Sequence, residues 1–256
     1  MSGPRLLVLN PNTSESVTAL IEAQARRSMR PGTELTVRTA VAGVAYIETR
    51  FEALLGAHAA AEMAAASCAG HDAVIVAAFG DPGVAALREA LPVPVVGLTD
   101  AALSTACLLG GRFSIIAISQ RIQAWYREVV EDCGLGGRLA SIRALDRPLS
   151  AIDGVQAEHG DALVALAEAA VREDGADVLV LAGAPLAGLA RSVAPRLPVP
   201  AVDGVDCAVR QAELLAAMGV RRARSGSYAP PPAKPNRALS PAVARLLGQS
   251  GGAPAP

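Results

Sequence analysis

The sequence has little of several things that would settle a function early. Its 23 basic and 24 acidic side chains leave a net charge of −1, so no basic field collects phosphates, and neither nucleic acid nor an anionic membrane is an expected partner. Although 52% of the residues are hydrophobic, alanine supplies much of that share, and no uncharged apolar run reaches the roughly 18 to 20 residues that cross a bilayer. The short apolar stretch at 6–9 after Arg5 is too brief for a secretory core and reads as a buried strand, so the expected location is the cytoplasm. Cys68, Cys107, Cys133 and Cys207 form no CxxC pair, and His58, His71 and His159 form no HxxxH or HExxH group. That spacing speaks against a zinc site or a disulfide framework. A small molecule is the default partner.

What is present is an alternation of short apolar runs with helix-length amphipathic or alanine-rich segments, the pattern of βα units that build a mainly parallel sheet. Strands are expected at 6–10, 34–39, 73–79, 93–98, 113–119, 138–144, 178–184 and 199–203. Helices are expected at 14–29, 52–69, 82–90, 100–109, 121–131, 156–172, 187–193 and 205–218, with Thr13 and Ser14 as hydroxyl caps for the first.

The segment Leu91-Pro92-Val93-Pro94-Val95-Val96-Gly97 returns as Leu197-Pro198-Val199-Pro200-Ala201-Val202-Asp203, 106 residues later. Upstream, the run at 72–78 matches 177–183 at an offset of 105, and Arg5 to Asn10 has a weaker counterpart at 112–117. The chain therefore reads as two similar α/β halves. The expected division is a lobe at 1–99, to which a helix at 205–220 could return, a lobe at 100–204, and a Pro/Gly/Ala-rich tail at 221–256. That tail is expected to be largely disordered, save one short helix at 240–248 capped by Ser240 and opened by Pro241. Parallel sheets bind ligands at the carboxyl ends of their strands. Ala78 and Gly183 stand at equivalent strand ends, so two loops can approach one ligand from opposite sides.

Three stretches carry a resemblance: Asn10-Pro11-Asn12-Thr13-Ser14, Phe79-Gly80-Asp81-Pro82-Gly83, and the duplicated strand-loop segments. Together, over about residues 5 to 218, they resemble the hydantoin and allantoin racemases of the aspartate/glutamate/hydantoin racemase superfamily. The resemblance implies two pseudo-symmetric Rossmann-like (flavodoxin-like) subdomains with parallel sheets and an active-site cleft between them. It implies no metal or nucleotide cofactor, and a homo-oligomer. It also implies two cysteines, one per subdomain, that exchange a proton on opposite faces of the substrate's α-carbon. The positions matching those cysteines hold Ala78 and Gly183, and neither neighbour of either is a cysteine. The arylmalonate decarboxylases, a related branch, lack the first cysteine but keep the second, which Gly183 also removes. A pair of threonines common after the fifth strand is replaced by Ala117 and Ile118, with Ser119 and Gln120 beyond.

Backbone N–H groups after Ala78 and Gly183 offer paired sites for a carboxylate or an imide carbonyl. Ligand contacts are accordingly expected at Asn10, Asn12, Ala78, Phe79, Gly80, Ser119, Gly183, Ala184 and Pro185. Asn-Pro-Asn equally forms a turn and helix cap, so both readings of the asparagines stand. Asp81 is expected to cap a helix starting at Pro82, and Trp125 to serve helix packing. Tyr46 and Glu48 match a segment bordering the pocket in the family the chain resembles and are the candidate proton carriers. Two functions follow: an isomerase, lyase or cyclase acting without paired thiols on a small carboxylate, imide or hydantoin-like metabolite, or a catalytically silent binder of such a ligand. A racemase whose cysteines were removed deliberately is a third reading, disfavoured by the accompanying change at Ala117 and Ile118.

Overall fold

The computed structural model describes residues 3–146, 154–220 and 222–248. Lobe one runs β1 (Arg5–Asn10), α1 (Glu15–Ser28), β2 (Glu34–Thr39), α2 (Arg50–Ser67), β3 (Ala73–Val76), α3 (Val84–Ala90), β4 (Val95–Gly97) and α4 (Leu98–Leu109). Lobe two repeats the order with β5 (Phe113–Ala117), α5 (Gln123–Asp132), β6 (Leu139–Ala144), α6 (Val155–Asp174), β7 (Val178–Leu181), α7 (Leu189–Val193), β8 (Ala201–Asp203) and α8 (Gly204–Ala217). Each half forms a four-stranded sheet, β2-β1-β3-β4 and β6-β5-β7-β8, in which every pairing is parallel. The duplication read from the residues is thus a duplication of topology.

The central strands are apolar on both faces because helices cover both. All four residues of β3, Ala73 to Val76, and all four of β7, Val178 to Leu181, are buried, as parallel sheets require. Leu6, Leu7, Leu9, Ile75, Ile115 and Ile116 are essentially inaccessible, each contributing about 1.5 to 3 kcal/mol by leaving water. At its start, α2 is fixed by a capping box in which Thr49 and Glu52 exchange side-chain bonds with each other's backbone. At its end, α6 stops on Gly175 with φ 71°, where a glycine adopts the left-handed turn without a β-carbon clash.

The last helix of each half packs across the boundary. Val205, Ala208, Val209 and Ala212 of α8 share a core with Leu6, Val8, Ile75 and Val96 of lobe one, while Ala102, Leu103 and Ala106 of α4 share one with Phe113, Ile115 and Val180 of lobe two. Glu213, 3% exposed, fastens α8 to lobe one by accepting from Arg30 N (2.8 Å) and Thr33 Oγ1 (2.6 Å). This exchange holds the two sets of strand ends against each other.

One helix start needs correction. The helix expected from Pro82 begins at Val84, because Gly80 (φ 98°), Asp81 (φ 50°) and Gly83 (φ 80°) make a left-handed turn first. The short helix expected within the tail at 240–248 is α9 (Pro241–Gly248), which lies on α2, with Ser240 Oγ donating to Glu62 Oε2 at 2.5 Å and Leu246 packed on a lobe-one core. Residues 221 and 249–256 of that expected tail lie outside the described residues. No described helix is long and apolar enough to cross a membrane.

Candidate functional site

The loops after β3 and β7 share two features 105 residues apart. Asp81 N donates to Ala78 O (3.2 Å), and Leu186 N donates to Gly183 O (2.9 Å). Gly83 and Gly188 then open α3 and α7 with φ 80° and 84°. Gly80 N is consumed by Thr99 Oγ1 at 2.6 Å, and the matching Pro185 has no N–H to give. Among the described residues, the N–H groups of Ala78 and Phe79 and of their counterparts Gly183 and Ala184 meet no hydrogen-bond acceptor. Phe79 and Ala184 thus form one of two equivalent pairs of donors left over at the twin tips. Ala184 of lobe two and Ala77 of lobe one belong to a single buried cluster, so the tips lie within one core.

A loop from β2 to α2 brings in the acid-base candidates. Glu52 Oε2 accepts from the backbone N–H of Glu48 and of Thr49, both at 2.8 Å, which fixes the backbone under Glu48. The Glu48 carboxylate, Oε1, accepts from the Ser119 hydroxyl of lobe two, joining two of the expected site residues across the boundary. Ser119 Oγ also accepts from Arg121 N at 3.2 Å. Outside this bond, Arg50 of α2 and Glu128 of α5 form an ion pair on the same side of the molecule. The Tyr46 hydroxyl is buried and without a partner among the described residues. Its burial, reinforced by the negative charges of Glu48 and Glu52, holds the phenol well above its ordinary range. Tyr46 therefore stays neutral and keeps a hydroxyl proton that no described residue accepts.

Tyr126 and Trp125 pack beside the expected contact Phe79, and sequence reasoning had not placed them there. Phe79 and Tyr126 rings lie 4.7 Å apart, and Trp125 stacks at 5.6 Å from Tyr126 in a tilted arrangement. Burial pushes the Tyr126 phenol up, with Tyr46, Asp81 and Glu48 as the charged or ionisable neighbours that add to the rise. Tyr126 thus sits among all the acidic candidates. Trp125 does serve packing, but what it packs on is the tip loop at Gly80. Asp81 does not cap α3. Its Oδ1 and Oδ2 accept from Thr99 N and Asp100 N, each at 2.8 Å, so it caps α4 instead. Burial pushes the Asp81 carboxyl up to about 7, and Asp100 adds to the rise while the backbone donors partly offset it.

Asn10 falls on the structural side of its two readings. Its Nδ2 donates to Asn12 Oδ1 (3.0 Å), Thr18 Oγ1 (2.9 Å) and Ser14 O (3.2 Å), and its Oδ1 accepts from Asn12 N (3.2 Å). Both N–H bonds of that carboxamide are engaged within the turn and the first helix, and its oxygen already accepts once. The Asn12 Oδ1 is likewise spent on Asn10 and Ser14 N, which leaves only its Nδ2.

No thiol stands at either tip. Ala78 is buried, and Gly183 adopts φ 106° and ψ 141°, a backbone that L side chains rarely take, although a β-carbon there would meet nothing closer than Pro185 Cδ at 3.6 Å. Cys133 donates to Asp100 Oδ1 at 3.3 Å, and burial pushes both Cys133 and Cys207 up to about 12. Such thiols are protonated and poor nucleophiles or bases.

The architecture has known counterparts. The family model described as Asp/Glu/Hydantoin racemase matches residues 6–212. The chain belongs to that family. Within it, the hydantoin racemase of Paenarthrobacter aurescens is 37% identical over 238 residues, spanning 90% of this chain and 98% of that protein. Among solved structures, allantoin racemase from Pseudomonas fluorescens superposes with a TM-score of 0.85 at 37% identity, covering 92% of this chain and all of its own. Allantoin racemase from Klebsiella pneumoniae gives 0.87 at 34% identity, with 95% and 99% covered. This racemase-family chain therefore matches its relatives over nearly their whole length.

Proposed function

We propose that the protein binds a small carboxylate-, imide- or hydantoin-like metabolite between the tips and transfers a proton on one face of it through Glu48, as an isomerase or lyase without paired thiols. The observation that carries this reading is the Glu48 carboxylate, held by Ser119 from the opposite lobe and close to the buried hydroxyl of Tyr46. Inversion by the paired-thiol route needs a proton carrier on each face, and Ala78 and Gly183 supply none.

In the proposed step, Glu48 removes a proton from a carbon beside a carbonyl. The electron pair moves onto the carbonyl oxygen, where the N–H groups of Phe79 and Ala184 stabilise the anion; such donors contribute about 3 to 4 kcal/mol each when water is excluded. Returning the proton on the same face at another atom gives isomerisation. Expelling a leaving group from the neighbouring atom gives elimination. Tyr46, neutral at all working pH, donates to an oxygen of the bound ligand.

Proton NMR in heavy water, with a panel of 5-substituted hydantoins and 2-oxo acids, tests the reading. Protein-dependent exchange of the α-proton that Glu48→Gln reduces by about a hundredfold or more supports it. Exchange that survives Glu48→Gln removes Glu48 from the chemistry. Binding of a panel member without exchange makes the chain a silent binder instead.

A further inference from the structure

The two lobes solve one problem with the carboxylate placed at opposite ends. In lobe two, Asp203 stands at the end of β8; its Oδ1 accepts from Asp206 N (2.9 Å) at the start of α8, and its Oδ2 accepts from Gly188 N (3.3 Å) in the loop that follows the β7 tip. One carboxylate thus ties tip loop to crossing helix. The equivalent position in lobe one is Gly97, which has no side chain to do this. The carboxylate comes instead from the loop: Asp81 reaches Thr99 N and Asp100 N, and a β-carbon at Gly97 would stand 2.2 Å from the Asp81 carboxyl. The same loop is held a second time, through Gly80 N to Thr99 Oγ1. Asp81 keeps φ 50°, an uncommon conformation for a residue other than glycine, which its surroundings must impose.

We propose that Asp81 is a positioning residue: by gripping both amides at the start of α4, it fixes the lobe-one tip loop and with it the direction of the Phe79 N–H. Because α4 packs on sheet two, the grip sets the loop relative to the opposite lobe. The proposal rests on the reading that the tips face the ligand, but its test needs no ligand. An ionised carboxylate accepts on both oxygens. A protonated one turns one oxygen into a donor facing an N–H, so one of the two bonds is lost. With the carboxyl raised to about 7, that exchange falls in the neutral range. Around it, Asp100 is paired with Arg88 of α3 (2.8 Å), and burial pushes the Cys133 thiol and the Tyr126 phenol of α5 upward.

Trp125, the one tryptophan, lies against Gly80 and reports on this loop. Its fluorescence in the full, ligand-free chain, followed from about pH 5 to about pH 9 across the neutral range, is expected to shift with a midpoint near 7. In Asp81→Asn, whose amide imitates the protonated carboxyl, the emission is expected to match the acid form of the wild type at every pH. A flat wild-type profile, or a transition that persists in Asp81→Asn, overturns the proposal. Should the variant not fold, hydrogen exchange of the wild type gives the same decision. The amides of Thr99 and Asp100, corrected for intrinsic rates, lose protection as pH falls through 7 if Asp81 grips them, and constant protection contradicts it. Failure of the proton-transfer reading would instead show as absent exchange with the fluorescence transition intact.

Discussion

The indole of Trp125 occupies the space that a side chain at Gly80 would need: a β-carbon there would stand 2.3 Å from Cζ2. Gly80 also has φ 98°. Gly80→Ala therefore combines backbone strain with overpacking and is expected to destabilise the fold by roughly 2 to 4 kcal/mol. Urea denaturation followed by Trp125 emission measures it. A loss below about 0.5 kcal/mol would mean that the loop and the indole part easily.

Ala78 and Gly183, the two positions to which the resemblance assigns thiols, are not equivalent. Ala78→Cys enlarges a side chain on ordinary backbone, whereas Gly183→Cys forces a side chain onto φ 106°. Thermal melts are expected to show a loss of about 1 to 3 kcal/mol for Gly183→Cys and clearly less for Ala78→Cys. Equal effects would argue that the Gly183 backbone relaxes freely, and a simple loss of cysteine would then describe both lobes.

Ser119 holds Glu48 from the opposite lobe. Ser119→Ala removes one hydrogen bond to a charged group, a contribution of about 1.5 kcal/mol, and should slow α-proton exchange about tenfold with the fold intact. An unchanged exchange rate would show that Glu48 is positioned by its backbone alone.

Glu213 links α8 to the turn after α1 through two donors, while its ion-pair partner Arg30 is 77% exposed at 3.8 Å. Glu213→Ala leaves the Arg30 N–H and the Thr33 hydroxyl without their acceptor and is expected to cost about 2 to 3 kcal/mol. Arg30→Ala removes only a solvated charge and should stay within about 0.5 kcal/mol. Urea midpoints of the two variants separate these.

Asp81 also sets a pH dependence of stability. Its folded-state carboxyl, near 7, lies above the ordinary value of 3.8, so between the two the folded chain keeps a proton that the unfolded chain has released. The associated stability is complete below 3.8 and is lost as pH rises to about 7. Asp81→Asn should flatten that part of the stability curve, and an unaltered slope would assign it to another group.

The features legible in the sequence are those fixed by neighbours along the chain. Buried runs such as the one ending at Asn10 declared strands, because a parallel strand covered on both faces has no polar side to show. The repeat of Leu91-Pro92-Val93-Pro94 at 197–200 declared two lobes. Strand ends read longer than they are, since apolar residues continue past β3 and β7 into the tips: Ala77, Ala78 and Phe79 are as buried as the strand itself. Periodicity does not distinguish a buried strand from a buried turn.

What stayed hidden depends on residues far apart in sequence. Asp81 looked like a local helix cap because Pro82 follows it, but the left-handed Gly80 and Gly83 turn its carboxylate toward amides 18 and 19 residues away. One signal was available, the absence of a side chain at Gly97 where the repeat has Asp203. Trp125 and Tyr126 read as ordinary helix-face aromatics, and only the packing of α5 over the first lobe brings them to the tip loop. The asparagine turn gave no sign of which of its amides would be spent, since that depends on Thr18 lying one helical turn beyond the cap.

The central claim is that the proposed proton transfer through Glu48 is one-sided. Incubating a single enantiomer of a 5-substituted hydantoin that the protein binds with the wild-type chain in heavy water, and following deuterium content and optical rotation together, tests it most directly. The account predicts that deuterium enters at the α-carbon, or that an isomerised or eliminated product forms, while the remaining substrate keeps its handedness. Deuterium uptake that proceeds in step with loss of optical rotation, at a rate unaffected by Glu48→Gln, would contradict it.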